Sequence, residues 1–498
     1  MFQRKGVLYD ENALFVYNAL IIDYICEVSY YYTGASIVDD YRADINISKS
    51  NKPVVIAGAG VVGCVIGYEL AKIGHKVIIV EKDIQVGGLA KSFHYDGFTF
   101  DIGPHRFHTR KEKISSYIYG ILKDNFVTIP QNSSVFFLGK YYTWPLRPTI
   151  VFGLPLSITI KSAWELLLMA LENKKKKICN FEDYILVNYG PTLYNIFFKE
   201  YTQKFLGLPT KKIHFEWAKE AMKRAIIDER ISSRDLLDIL KLSLRFKPNE
   251  TTFIYPADGI GSFCEKLKEA FIGCGGEVLA NNFIADIKYS GNKIEELSVN
   301  GMRIEPEMLI WTASLKELCR LLGLSCDGLN YIDLILYNVE VNNPAKQNYQ
   351  WCYYGDRRII FNRVTLPSRF HKGMVPEGKD SLCVEVNSHT DDAAWDNPEL
   401  LIERVKRDLI KVGLVGRIED IGNIHIEKVK DAYPIYTIDY PQRLKKVKES
   451  LSGFENLELA GRTALFWYNN MDDCIENGLD IIKNIIQRKD EKNIFIGK

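Results

Sequence analysis

The chain has 498 residues, which is enough for two or three domains with sizeable hydrophobic cores. Its 64 lysines and arginines are balanced by 63 aspartates and glutamates, so the overall charge indicates neither a nucleic-acid partner nor an acidic one. The ten cysteines form no C-x-x-C pair and no metal-ligand spacing, which predicts reduced thiols, no bound metal and a cytoplasmic protein.

Residues 1–50 precede the first recognisable folding unit and are interpreted as an N-terminal extension that packs on the body or on a partner. Met1–Gly6 is basic, but the apolar stretch after it lacks a convincing cleavage site, so we expect no secretory signal. Ala13–Tyr32 is apolar and rich in tyrosine, yet Asp23 and Glu27 interrupt it. The sequence therefore predicts no transmembrane segment here and assigns the extension no function.

The stretch at 53–81 has the pattern of a βαβ unit that binds a dinucleotide. Val54–Ala57 predicts a buried parallel strand, and Lys76–Glu81 predicts a second strand that ends on an acid. The G-x-G-x-x-G turn between them consists of Gly58, Ala59, Gly60, Val61, Val62 and Gly63. Its glycines permit a tight turn, close approach of a pyrophosphate to the backbone, and packing of the next helix on the strand. Because Glu81 lies eighteen residues beyond Gly63, we expect its carboxylate to bind a ribose.

Two further glycine-containing segments indicate which dinucleotide is bound, NAD or FAD. Gln85–Ser92 contains a glycine pair, and Phe98–Thr109 contains a Gly-Pro-His turn. Both resemble the FAD-binding amine oxidase superfamily, which includes monoamine oxidases, protoporphyrinogen oxidase and UDP-galactopyranose mutase. There the first segment contacts the FAD phosphates and ribose, and the second lies beside the isoalloxazine ring. The resemblance implies FAD as the cofactor, with contacts from Lys82, Gly87, Gly88, Leu89, Ala90, Lys91, Gly103, Pro104 and His105.

The part of the chain at 131–249 is interpreted as a helical substrate domain. It opens with a predicted hairpin at Val135–Tyr142. Ile150–Glu172 predicts a buried or surface-lying helix pair rather than a membrane span, because charged residues interrupt its apolar run. The lysines at Lys174–Lys177 are interpreted as a solvated segment.

Phe181–Gly207 predicts amphipathic helices that end at Gly207 and Pro209. This block resembles the helical substrate domain of UDP-galactopyranose mutases and of their oxidoreductase-like relatives. Leu206 stands where the mutases usually have a tryptophan, which counts against ordinary UDP-galactopyranose as the substrate. The resemblance also brings Arg224 near a mutase arginine that faces the substrate.

The dinucleotide-binding sheet is predicted to be completed by later parts of the chain. Met308–Trp311 predicts a returning apolar strand, as expected for an FAD fold that carries an inserted domain. We therefore expect a discontinuous FAD-binding Rossmann-like α/β domain at 51–130, 250–325 and 450–490. An antiparallel-sheet substrate domain is expected at 326–449, because strand patterns punctuated by glycine or proline run through its first half.

Two later segments contribute the remaining candidate residues. Phe361–Val364 resembles the mutase strand whose arginine faces the nucleotide diphosphate, and this resemblance assigns that role to Arg363. A guanidinium can donate two parallel hydrogen bonds to a phosphate, although the solvated face of a sheet is the alternative position for this arginine. The segment at 457–472 resembles the C-terminal FAD motif of the superfamily, and it implies contacts to FAD from Gly461, Arg462, Asn470, Met471 and Asp472.

Three functions are consistent with these patterns. The first is an FAD-dependent oxidoreductase of the amine oxidase or protoporphyrinogen oxidase type, in which flavin N5 accepts a hydride from a substrate held between the helical and sheet domains. The second is a UDP-galactopyranose mutase-like enzyme that interconverts pyranose and furanose forms of a nucleotide sugar through reduced flavin N5. The third is a non-catalytic FAD-binding protein.

The candidate catalytic residues are His105, Arg224, Arg363, Tyr433 and Tyr468. His105 and His108 are three residues apart, but no third ligand with suitable spacing accompanies them, so no metal site is predicted. The expected partner is a small-molecule substrate, with a nucleotide sugar or glycan precursor among the candidates. Peripheral membrane contact and an oligomeric assembly stay open.

Overall fold

The computed structural model describes residues 51–109, 111–144, 154–171, 177–225, 252–389 and 392–496. The expectations for the N-terminal extension, for the start of the predicted helix pair at 150–153 and for Lys174–Lys176 lie outside these residues. Within the described ranges, no helix combines the length and the apolar character that crossing a bilayer requires.

The strands are numbered in chain order. They are β1 (Val54–Ala57), β2 (Val77–Val80), β3 (Ser92–Tyr95), β4 (Phe98–Asp101), β5 (Phe126–Pro130), β6 (Ser133–Phe137), β7 (Lys140–Trp144), β8 (Thr252–Pro256), β9 (Glu277–Leu279), β10 (Ile284–Ser290), β11 (Lys293–Val299), β12 (Met302–Ile304), β13 (Met308–Trp311), β14 (Tyr331–Val341), β15 (Trp351–Tyr354), β16 (Arg363–Thr365), β17 (Asp380–Ser388), β18 (Ile421–Pro434) and β19 (Leu457–Leu459).

The α-helices are numbered in the same way. They are α1 (Val61–Lys72), α2 (Glu112–Leu122), α3 (Leu156–Leu171), α4 (Phe181–Leu193), α5 (Lys199–Leu206), α6 (Phe215–Ala225), α7 (Ser262–Gly273), α8 (Leu315–Leu321), α9 (Ala393–Asp396), α10 (Ile402–Lys411), α11 (Tyr440–Leu451), α12 (Gly461–Ala464) and α13 (Met471–Ile496). A π-helical segment, Tyr194–Phe198, joins α4 to α5.

A five-stranded parallel sheet forms the first layer of the fold, in the order β19-β13-β1-β2-β9. Alternate residues of β1 face opposite cores: Val54 and Ile56 pack with α1, α7 and α13, whereas Val55 and Ala57 pack on the side of the small sheet β10–β12. Because these strands come from widely separated parts of the chain, the sheet is discontinuous in sequence. This architecture confirms the predicted Rossmann-like α/β fold.

A second sheet has seven strands in the order β18-β14-β17-β16-β15-β6-β7. All its pairings are antiparallel except that of β15 with β6. The hairpin β6–β7 confirms the turn predicted at 135–142, but it extends this sheet, whereas the sequence interpretation grouped it with the helical segment. The reason is long-range pairing: Ser133 lies opposite Trp351, and the Gln350 side chain accepts a hydrogen bond from the backbone N–H of Asn132.

Helices α4, α5 and α6 form a helical layer, and α5 contacts the seven-stranded sheet, where the Asn387 side chain donates a hydrogen bond to the Phe205 carbonyl at 2.6 Å. The Asn180 side chain caps α4 by accepting a hydrogen bond from the backbone N–H of Asp183 at 2.9 Å. Gly190, at φ +81°, and Pro191 kink the chain at the end of α4. Gly207 adopts the left-handed conformation at φ 67° and ends α5, as predicted.

Candidate functional site

A cavity of about 2940 Å³ lies at the carboxyl ends of the parallel strands, between the helical layer and the seven-stranded sheet. Ligands of open α/β sheets bind at this edge. Of the residues singled out from the sequence, the cavity is lined by Gly58, Gly60, Val61, Val62, Glu81, Lys82, Gly87, Gly88, Leu89, Ala90, Lys91, Pro104, His105, Arg363, Tyr433, Gly461, Arg462, Tyr468, Asn470, Met471 and Asp472.

Three of the predicted site residues are not among those that line the cavity. The side chain of Arg224 lies outside what the structure describes. Gly63 packs behind the wall, where a Cβ atom would come within 2.0 Å of the Gly58 carbonyl oxygen, so it serves the close helix–strand contact expected of it. Gly103 also lies behind the wall, with φ +70°.

The backbone between β1 and α1 leaves an open cradle. Gly60 lines the cavity, and a Cβ atom built on it would meet no atom within 4 Å. Helix α1 begins at the next residue, so its first backbone N–H groups adjoin this space. Gly87 pairs with Gly60 through an isolated parallel bridge. An anionic group such as a pyrophosphate fits an open helix N-terminus of this kind.

Glu81 follows β2 at the edge of the same cradle. Its Oε2 accepts a hydrogen bond from the backbone N–H of Ala59 at 2.6 Å, and its Oε1 accepts one from Asp83 at 3.0 Å. These two bonds hold the carboxylate beside the glycine turn. Lys91 forms an ion pair with Asp83 at 2.5 Å and closes this side of the cavity.

The His105 turn packs against a buried ion pair. A Cβ atom on Gly103 would lie 2.7 Å from Glu385 Oε1 and 2.8 Å from Arg363 Nη2, so only glycine fits there. Burial, reinforced by the charges of Arg363 and Arg462, lowers the pKa of His105 from 6.5 to about 3. Its Nδ1 is buried and has no hydrogen-bond partner within the described residues. The imidazole is therefore neutral at physiological pH.

Arg363, which lines the cavity, forms a bidentate ion pair with Glu385. Arg363 Nε lies 2.5 Å from Glu385 Oε1, and Arg363 Nη2 lies 2.7 Å from Oε2. Nη2 also donates to the Tyr433 hydroxyl at 2.9 Å. The Glu385 side chain is 2% exposed and that of Arg363 is 15% exposed. The carboxylate therefore fixes the guanidinium at the cavity wall.

Aromatic rings surround a second arginine. The Arg462 guanidinium carbon lies 5.1 Å from the centre of the Tyr433 ring and 4.9 Å from that of Tyr468. The Trp217 ring stacks on Tyr468 at 4.5 Å with an angle of 9° between the planes. The Phe205 ring contacts Tyr433 at 5.1 Å. The result is a wall with positive charge and flat faces.

The N-terminus of α13 closes the cavity beside this wall. Asn470, Met471 and Asp472 line it, and the Asp473 side chain accepts a hydrogen bond from the backbone N–H of Asn470 at 2.9 Å. Burial and repulsion from Asp473 raise the pKa of Asp472 from 3.8 to about 7. A carboxyl group that titrates near neutral pH therefore lies at this helix end.

Sequence reasoning does not identify Glu385 or Trp217 as site residues. Glu385 carries a usable signal, because it is a charged residue within the apolar run of β17 and a buried acid requires a partner. Trp217 has no comparable local signal, since it stands in an ordinary amphipathic helix. No group of three or more metal-ligating side chains occurs in the described part of the chain, so His105 and His108 gain no third ligand there.

We expect His105 to make the protein sensitive to acid. Since its pKa is near 3 when folded and about 6.5 when unfolded, the unfolded chain binds more protons between these values, and stability falls on acidification below pH 6.5. In the His105→Gln variant, the free energy of unfolding should therefore fall by up to about 1.4 kcal/mol less for each pH unit of acidification. The measurement is Tm between pH 7 and pH 5 for both proteins in the same flavin state. Parallel Tm curves for the two proteins would contradict the buried, neutral imidazole.

Asp472 should act in the opposite sense. Its carboxyl binds a proton in the folded state at pH values where the unfolded chain has lost it, so its contribution to stability declines as pH rises from about 4 to about 7. Asp472→Asn is expected to raise Tm at pH 8 by several degrees, with about 2 to 4 °C for each kcal/mol, and to leave Tm at pH 4 unchanged. An equal effect at both pH values would show that charge is not the cause.

Residues 56–119 match the family model described as an NAD(P)-binding Rossmann-like domain. Among solved structures, a reduced UDP-galactopyranose mutase is 21% identical with a TM-score of 0.75, and the match covers 88% of this chain and 94% of that one. A provisionally assigned protoporphyrinogen oxidase from Exiguobacterium sp. 255-15 is 18% identical with a TM-score of 0.69, over 89% of this chain and 100% of the other. At these identities the likenesses show the fold.

Curated relatives match over shorter segments. A 4,4'-diapophytoene desaturase from Staphylococcus haemolyticus (strain JCSC1435) is 51% identical over 51 residues, which is 10% of each chain. The first matches span about a tenth to a fifth of the relatives' own length. Together these comparisons confirm the resemblance to the FAD-binding amine oxidase superfamily, and the family model places the dinucleotide-binding unit at residues 56–119.

Proposed function

We propose that this chain is an FAD-dependent enzyme whose substrate is a nucleoside diphosphate sugar, and that it catalyses a redox-neutral mutase reaction on that sugar. The observation that supports this proposal is the cationic, aromatic wall formed by Arg363, Arg462, Tyr433, Tyr468 and Trp217. When bound, FAD supplies the electron-donating and electron-accepting chemistry that protein side chains lack.

The residues at the glycine turn fit FAD. The open cradle at Gly60 and the N-terminus of α1 would hold the pyrophosphate, and the fixed carboxylate of Glu81 would accept hydrogen bonds from a ribose. His105 and the N-terminus of α13 also line the cavity and would adjoin the flavin ring. A polar, uncharged imidazole suits contact with a ring of changing charge.

The positive charge of the wall that contains Arg462 favours an anionic substrate. The Arg363 charge is balanced by Glu385, but within the described residues Arg462 donates only to the backbone carbonyls of Ala432 and Asn469. A protonated amine next to Arg462 would be repelled by this positive charge. A phosphate or carboxylate would be attracted to it.

The size of the cavity and the aromatic rings of its wall favour a nucleotide over smaller anionic compounds. A drug-sized ligand occupies a pocket of about 300 to 1,000 Å³. The cavity of about 2940 Å³ leaves room for a second large ligand beside a dinucleotide. Tyr468 lines the cavity with the buried Trp217 ring stacked behind it, so this wall is an aromatic surface against which a base can pack. Trp217 supplies an indole to this wall, although Leu206, which is buried, replaces the tryptophan usual in the mutases. The likeness to a reduced UDP-galactopyranose mutase agrees with this substrate class.

An oxidoreductase is the second candidate. Curated relatives that match parts of this chain include a desaturase and L-amino acid oxidases, and the latter names specify substrates that carry a carboxylate. Arg462 suits a carboxylate as well as a phosphate. This candidate uses the same FAD site as the first. It differs in that the substrate is oxidised and its electrons pass on to an acceptor, whereas the mutase reaction is redox-neutral.

Spectroscopy and product analysis distinguish the candidates. The purified protein is expected to be yellow, and dithionite-reduced protein is expected to convert members of a panel of UDP-hexoses into products of altered ring size without consuming an oxidant. Bleaching of the flavin by substrate under anaerobic conditions, with recovery in air, would instead support the oxidoreductase. A folded, colourless protein that takes up no FAD would contradict both.

A further inference from the structure

Helix α3 presents an apolar stripe to the outside of the molecule. Five large side chains at helical spacing share this outer face. Their exposed fractions are 72% for Leu156, 60% for Ile160, 60% for Trp164, 50% for Leu167 and 43% for Leu168. From the first to the last of them the stripe is about 18 Å long, at 1.5 Å per residue. Contiguous exposed apolar surface of this kind marks an interaction site.

The inner face of the helix fixes this orientation. Glu165 Oε2 accepts a hydrogen bond from the Thr192 backbone N–H at 2.8 Å, and Oε1 accepts one from the Thr192 hydroxyl at 2.7 Å. The Glu165 and Met169 side chains also adjoin Gly190, the glycine at the end of α4. The polar glutamate thus points inward while tryptophan and leucine point outward. Rotation of α3 to bury the stripe would break both bonds of Glu165.

Most charged residues within and just after α3 are basic. Lys161 is the charged residue among the exposed side chains that the structure describes in α3. Shortly after the helix, the sequence has four consecutive lysines at Lys174–Lys177, of which Lys177 is described and exposed. Apolar side chains with an indole among them and lysines alongside are the pattern of a helix that lies in a membrane interface. A surface of anionic lipid complements both features.

We propose that the outer face of α3 docks on the surface of a membrane that contains anionic lipid. In this arrangement Trp164, Leu167 and Leu168 enter the boundary between headgroups and acyl chains. Lys161 and Lys177 stay at the level of the phosphates. A second copy of the chain is a poorer occupant, because the exposed, described side chains of α3 include no acid to pair with Lys161. The proposal is independent of the substrate that the cavity binds.

Vesicle sedimentation with the full-length protein tests this proposal. The expected result is that the protein pellets with mixed phosphatidylcholine–phosphatidylglycerol vesicles, pellets much less with phosphatidylcholine alone, and is released by high salt. The double variant Trp164→Glu/Leu168→Glu should lose at least about tenfold in vesicle affinity, which corresponds to 1.4 kcal/mol. Leu400→Glu is the matched control, since Leu400 is an exposed leucine, at 75%, far from α3 in sequence, and it should bind like the unaltered protein.

Three outcomes would overturn the proposal. The first is the absence of pelleting with either type of vesicle. The second is equal binding to neutral and anionic vesicles, which would remove the charge complementarity. The third is a stable dimer in light scattering that the same double variant dissociates, since a second copy would then cover the stripe. Flavin content and Tm, measured alongside, should be the same for all three proteins, so that loss of membrane binding is not confused with loss of the FAD site.

Discussion

Replacement of Gly60 with valine is expected to weaken FAD binding strongly while the protein stays folded. The backbone of Gly60 has φ −71°, which any residue can adopt, and a Cβ atom there meets no protein atom within 4 Å. The added side chain would instead occupy the cradle where a pyrophosphate must approach the backbone. We expect affinity for FAD to fall by about a hundredfold or more, which corresponds to about 3 kcal/mol.

Gly120→Val provides the matched control. Gly120 is exposed in α2, its Cβ position is equally open, and it does not line the cavity. Flavin absorbance per protein and titration of the flavin-free proteins with FAD are the measurements, and circular dichroism checks the fold. If the Gly60 variant retained full flavin occupancy, the cradle would not be the pyrophosphate site.

Removal of Glu385 alone should have the largest effect on stability. Glu385→Ala leaves the Arg363 guanidinium at the wall without its carboxylate, and the loss of one partner from a buried pair costs about 3 to 5 kcal/mol. It also frees Arg363 from its fixed position next to Tyr433, so substrate binding should weaken as well. Thermal unfolding and binding of UDP, as a probe of the diphosphate site, measure the two effects separately.

The double variant Arg363→Met/Glu385→Leu separates stability from function. Apolar residues of similar volume often replace a buried ion pair without a loss of stability. The double variant should therefore regain most of the Tm lost by Glu385→Ala, yet it should bind UDP more weakly than the unaltered protein, because the Arg363 guanidinium is absent. Recovery of UDP binding together with stability would show that Arg363 has a structural role only.

The dinucleotide unit was predictable because its signals are local. Strand β1, the glycine turn, α1 and β2 follow one another within thirty residues, and each carries its own pattern of apolar residues and glycine. The cavity accordingly gathers most of the residues that the sequence singled out. Glu81 takes the position beside the turn that its spacing indicated.

Features that depend on contacts between residues far apart in the sequence were harder to predict. The hairpin β6–β7 belongs to the seven-stranded sheet only because β15, more than two hundred residues later, pairs with β6. Likewise, Trp217 reaches the site through its stack on Tyr468, which no short window of sequence contains. Arg363 could be assigned by resemblance, whereas its pairing with Glu385 depends on the register of β16 against β17.

The order of the parallel sheet has a consequence for biosynthesis. Strand β13 lies between β1 and β19, and β19 follows β1 by about four hundred positions in the chain. A nascent polypeptide thus carries the phosphate-binding turn long before the ribosome has made the strand and the helix α13 that close the site. We expect the cofactor to be captured only after β19 and α13 have been synthesised, and contacts of such long sequence separation to make folding slow.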